Sequence, residues 1–115
     1  MFTNSGINKV FLLGTIGKEP RLHNFEDQRE VLCFPLVTTE VIKKNNENID
    51  LIEWHNIKIP KEVAVANLQL QKGQMLYIEG KIQTRSFYDE EQIKKYKLEI
   101  IATKFQVVNP VPVLQ

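Results

Sequence analysis

Trp54, the only tryptophan in the 115 residues, falls in the run Leu51-Ile52-Glu53-Trp54-His55-Asn56-Ile57-Lys58-Ile59. Period-two alternation sends Leu51, Ile57 and Ile59 to one side of a strand and Trp54, Asn56 and Lys58 to the other, so the indole keeps polar company. A second run repeats the arrangement: Leu76, Ile78, Gly80, Ile82 and Thr84 make an apolar or small face, while Lys81, Gln83, Arg85 and Phe87 point the opposite way. Flat rings interleaved with cations suit an unpaired nucleic-acid strand, whose bases stack on the rings while the cations follow the phosphates. A strand tryptophan more often fills a core or an interface, and the alternation favours the outward reading here. Glu53 and His55 share the nominally inward side and are expected near a barrel mouth or a subunit contact.

Other chemistries find less support. His23 and His55 are the only histidines, and neither has a second imidazole or thiol at ligand spacing, so no metal site is expected. Gly14-Thr15-Ile16-Gly17 lacks the Lys-Ser/Thr ending of a phosphate loop and the third glycine of a dinucleotide fingerprint, and reads as a bend. Cys33 follows the apolar Val31-Leu32 beside Phe34, where a thiol is ordinarily a small buried hydrophobe, and no His or Asn pattern activates it as a nucleophile. Asp89, Glu90 and Glu91 make a solvated turn that would repel a polyanion. No catalysed reaction and no cofactor are expected.

With 43% hydrophobic residues the chain supports one core and one domain, assigned to residues 1–108, with 109–115 as a short extension. Fifteen Lys and Arg against 14 Asp and Glu give a formal charge of +1, so any basic patch must be local. A single cysteine excludes an intramolecular disulfide and fits a reducing cytoplasm. No stretch approaches the roughly 18 consecutive apolar residues of a membrane span, and no membrane role is expected.

The elements that must hold these residues are nearly all β. Residues 8–16 carry Val10, Leu12 and Ile16 on one face and Phe11 and Leu13 on the other, a strand covered twice, with a second copy of the chain as one candidate cover. Tyr77, outward by alternation, is assigned to the same kind of subunit contact. Residues 31–39 form a strand in which Pro35 removes a ladder donor, predicting an edge or bulge. Residues 43–50 are polar, join the second strand to the Trp54 strand and read as a flexible hairpin loop that includes Lys43. Between Pro60 and Gly73 the spacing of Val63, Ala66 and Leu70 predicts the only helix. Strands at 75–87 and 96–107 complete an all-β order: a small five-stranded barrel with one short helix between the third and fourth strands.

Taken together, Asn8-Lys9-Val10 through Gly14-Thr15-Ile16-Gly17, Glu53-Trp54-His55, Lys72-Gly73 through Tyr77-Ile78-Glu79-Gly80, and Thr84-Arg85 resemble bacterial single-stranded DNA-binding proteins over roughly residues 7–105. The resemblance implies an oligonucleotide-binding (OB-fold) barrel that assembles as a homotetramer. It would wrap single-stranded DNA without sequence preference and protect it during replication, repair and recombination. By position, Trp54 and Phe87 correspond to base-stacking aromatics. Arg85, Lys72, Lys9 and Lys43 fall on or beside basic positions of the binding path, Lys81 joins them from the face of Arg85, and His55 corresponds to a subunit contact.

Departures from the family pattern qualify that expectation. Ile42 and Ile59-Pro60 stand where further stacking aromatics are usual, so weaker binding per subunit is expected unless Tyr88 or Lys44 compensates. Residues 109–115 stand where the family has a long linker and an acidic tip, so the usual means of recruiting replication and repair proteins is expected to be missing. An alternative is therefore an interaction module of the replication machinery on the same fold with only slight DNA affinity. RNA chaperoning would use the same stacking physics.

Overall fold

The computed structural model describes residues 5–24, 30–63 and 70–108. Six strands run β1 (Val10–Ile16), β2 (Arg21–Asn24), β3 (Glu30–Lys44), β4 (Glu47–Pro60), β5 (Met75–Tyr88) and β6 (Lys94–Val107). They form one sheet ordered β1-β5-β6-β4-β3-β2, and a further pairing of Thr15 with Val37 and Ile16 with Leu36 joins β1 to β3. That pairing closes five strands into the expected barrel and leaves β2 on the outer edge of β3. All pairings are antiparallel except that of β4 with β6, at Ile57↔Ile100 and Lys58↔Ile101.

The barrel is filled by the inward residues of each strand, among them Ile16, Phe34, Leu36, Ile57, Ile59, Leu76, Ile78, Ile100 and Ala102. Each fully buried aliphatic side chain contributes about 1.5–3 kcal/mol relative to exposure. Closure needs close backbone approach: a Cβ on Gly80 would lie 2.2 Å from the Ile101 carbonyl oxygen, where the β5–β6 register shifts at Glu79/Gly80. Pro35 sits within β3, and its carbonyl accepts from the Gly17 N–H at 2.9 Å. Its donorless nitrogen faces the same side, at the point where β3 changes neighbour from β1 to β2. The missing ladder bond therefore falls in a gap between partners.

Two expectations require correction. No helix occurs among the described residues. Lys61–Val63 is a turn, with the Val63 N–H donating to the Pro60 carbonyl at 2.8 Å. There the Lys61 N–H is drawn to the Glu30 carbonyl at 3.1 Å, which extends the sheet contact instead of starting a helix. Residues 64–69, the rest of the predicted helix, lie outside the described residues, as does the extension 109–115. The polar run 43–50 is the expected hairpin, but its strands continue to the tip and leave a two-residue turn in place of a loop. Only Asn45 and Asn46 turn, with φ of 53° and 64°, the mirror-image turn that matches strand twist.

β3–β4 and β5–β6 thus extend as two long hairpins beyond the barrel. Leu51 and Ile82 keep the inward parity read from the sequence, but they sit past the end of the barrel and are exposed.

Candidate nucleic-acid interface

Trp54 lies on the outer face of β4, directly across from Val37 of β3, with its side chain 55% exposed. The same face continues over β6 to β5, where Arg85 pairs with Lys97 and Phe87 with Lys95. Phe87 is half-buried beneath the Arg85 guanidinium, whose carbon is 5.5 Å from the ring centroid, within cation–π range.

Beneath this surface lies Glu99, only 2% exposed. The Lys58 ammonium is 2.9 Å from one carboxylate oxygen, and the Arg85 Nε is 3.3 Å from both. Burial of the Lys58 and Glu99 charges is tolerable because each has a partner. The Arg85 plane is consequently held through Nε and Phe87, while 41% of its side chain remains accessible.

Trp54, Arg85, Lys58 and Glu99 line one cleft of about 740 Å³. Its far wall comes from the β1–β2 connection and from β2, which bring in Lys18, Arg21 and His23, and Lys97 adds a further cation from β6. Five Lys and Arg and two Glu line the cleft, so a chain that is nearly neutral overall concentrates positive charge at this place. Cys33 is on the floor, where burial above all pushes its thiol up and keeps it protonated and unreactive.

The predicted site residues are only partly assembled here. Trp54 and Arg85 line the cleft and Phe87 adjoins it. Lys81 is exposed farther along β5, on the face of Arg85, and Lys43 is exposed near the tip of the β3–β4 hairpin opposite Asn48. Lys72 is exposed in the turn before β5. Lys9 lies outside the cleft, over the outer face of β1 and β5, 3.8 Å from Glu79 and 5.4 Å from the Phe11 ring centroid.

On that face Phe11 and Leu13 are 58% and 54% exposed, and Tyr77 is the cross-strand partner of Leu13. His55 is apart from them on β4, its Nε2 2.8 Å from the Thr38 hydroxyl across the hairpin.

Lys18, Arg21 and Lys97 were not singled out from the sequence, and His23 was weighed there only as a metal ligand. β2 is four residues long, too short for periodicity to register. Lys97 could have been placed by folding β5 and β6 back about the Asp89–Gln92 turn, which sets it opposite Arg85.

Residues 7–108 match the single-strand binding protein family. The chain belongs to this family. A single-stranded DNA-binding protein of Bacteroides thetaiotaomicron is 34% identical over 108 residues, covering 90% of this chain and 67% of that protein. Single-stranded DNA-binding protein 1 of Chlorobaculum tepidum is 37% identical over 107 residues, covering 90% and 66%. The chain thus spans about two thirds of the length of these curated relatives.

Among solved structures, a Plasmodium falciparum SSB complex with ssDNA superposes with a TM-score of 0.74 at 26% identity, covering 93% of this chain and 97% of that one. A deletion mutant of the Thermus aquaticus single-stranded DNA binding protein gives 0.77 at 20% identity, covering 90% and 51%, a likeness of fold alone. The barrel of this single-strand binding family member is accordingly an OB-fold.

Proposed function

We propose that this chain binds and protects single-stranded DNA without sequence preference, in replication, recombination and repair. The observation that carries the reading is an exposed indole beside a cleft lined by five cations, on a chain with a formal charge of only +1. Bases stack on Trp54 and on the Arg85–Phe87 pair, and Lys18, Arg21 and Lys97 meet phosphates. Lys9, Lys43, Lys72 and Lys81 extend the path outside the cleft. Nothing in this role calls for a catalysed reaction. The site of action is the cytoplasm, on the nucleoid.

The working form is a homo-oligomer, a tetramer by family resemblance, assembled through Phe11, Leu13 and Tyr77 with His55 at a further contact. Two adjoining exposed apolar side chains on β1 support the first contact, since burying them between copies gains the hydrophobic term that a monomer forgoes. Linking weak sites in one assembly raises avidity beyond that of one subunit.

Titration with oligo-dT tests the reading. Trp54 emission is expected to be quenched, and binding to weaken with salt at a log–log slope of about −0.7 per phosphate contacted. Unchanged emission at saturating DNA would reject the stacking role. Micromolar or weaker binding of long poly-dT by the assembled oligomer would favour a protein-docking module instead.

A further inference from the structure

We infer that Gly17 is the seat of the Trp54 indole: a positioning residue that fixes the ring in its stacking pose by having no side chain. The proposal deepens the single-strand reading and rests on it for the consequence, though not for the seat itself.

Gly17 lies in the connection between β1 and β2, its N–H bonded to the Pro35 carbonyl at 2.9 Å. Glycine is often required where the backbone is left-handed, but Gly73 is the only described glycine with positive φ. Any residue could adopt the Gly17 backbone, so conformational freedom does not account for it. Space does. A Cβ there would stand 2.6 Å from Cζ3 and 3.1 Å from Cη2 of Trp54, and 2.8 Å from Cγ2 of Val37. The first and last distances are closer than real Cβ contacts.

The two neighbours differ in what they can yield. Val37 is β-branched and stiff about χ1, on a strand paired to β1 at Thr15 and to β4 at Trp54 itself. The indole meets Gly17 with the far edge of its six-membered ring and has solvent beside it, with 55% of the residue exposed. A methyl group at position 17 is therefore accommodated mainly by rotation of the ring. The Cζ3–Cη2 edge of Trp54 packs against the β1–β2 connection because residue 17 leaves it room, and a displaced ring no longer presents the same face to a base.

Gly17→Ala in the full chain tests this, because Trp54 is the sole tryptophan and its emission reports the seat directly. The expected result is a shifted emission maximum without DNA, a lower thermal transition from the Val37 contact with the fold retained, and about tenfold weaker oligo-dT binding, within what loss of a base stack allows. In a Trp54→Ala background, read by the anisotropy of labelled oligo-dT, Gly17→Ala is expected to change affinity by less than about twofold. Unaltered emission and affinity, or equal weakening in both backgrounds, would overturn the seat.

Should Gly17→Ala fail to fold, the Gly17→Ala/Trp54→Phe variant is expected to fold, since phenylalanine lacks the ring that collides. Failure of that variant would place the conflict in the backbone and overturn the proposal. If the unmodified chain does not bind oligo-dT, the single-strand reading fails, and the emission shift still decides the seat.

Discussion

Glu99 shows how the interface is built at the level of single side chains. A carboxylate beneath a proposed polyanion path opposes binding, yet it neutralises buried Lys58 and fixes the Arg85 plane over Phe87. Glu99→Ala is expected to lower stability in urea unfolding by up to about 3 kcal/mol, because Lys58 loses a buried partner while accessible Arg85 can turn to solvent. Arg85→Lys keeps the charge but loses the planar group, so it should weaken oligo-dT binding while leaving the salt slope nearly unchanged. Intact affinity with an unchanged slope would mark Arg85 as a simple phosphate contact. Trp54→Ala should weaken binding by about 1–3 kcal/mol in the same titration without unfolding the barrel. The outward placement of Trp54 was legible in the sequence because alternation in β4 holds from Trp54 to Ile59. The Glu99 triad was not, since pairing Lys58 with Glu99 depends on the parallel contact of β4 with β6, far apart in the chain.

The two hairpins differ in how their tips are held. At Asn45–Asn46 the backbone itself is left-handed, and Asn46→Val should cost about 1–2 kcal/mol, read as a lower thermal transition. The β5–β6 tip also has one left-handed residue, Gln92 with φ of 65°, and is tied in addition by Asp89, whose carboxylate accepts from the Glu91 and Ile93 N–H groups, both at 2.9 Å, and meets Lys95 at 3.2 Å. The bond from Ile93 above all, with Lys95 and Glu91 adding to it, holds the Asp89 carboxyl below the usual carboxylate range. With the folded value depressed, this tie is fully present above the unfolded carboxylate value and is lost as pH falls through the folded one. Amide exchange at Glu91 and Ile93 should accelerate on acidification through that window, and Asp89→Ala should remove the pH dependence. The length of the first hairpin was hidden in the sequence because residues 43–50 are exposed on both faces, which leaves no alternation to register. Its asparagines then read as a loop.

Over the molecule, the order of strands was readable from alternating runs and their punctuation, and the barrel follows from that order. What remained hidden was the cleft, which needs β2 folded against β3 so that Lys18 and Arg21 face Lys97 and Arg85. Local composition could not reveal this convergence, because the chain as a whole is nearly neutral. Phe11→Glu, placing a charge on the exposed face of β1, should lower the mass seen by light scattering and weaken binding to long poly-dT more than to a short oligomer.

The sheet also ends in β2, four exposed residues that follow Pro20 and carry Arg21. Copies crowded along one nucleic-acid strand would meet at high local density, where an unguarded margin invites runaway fibre growth. So short a terminal rung, with a cation on it and a proline at its foot, gives an intruding backbone little to grip, and neighbours can lie side by side without fusing.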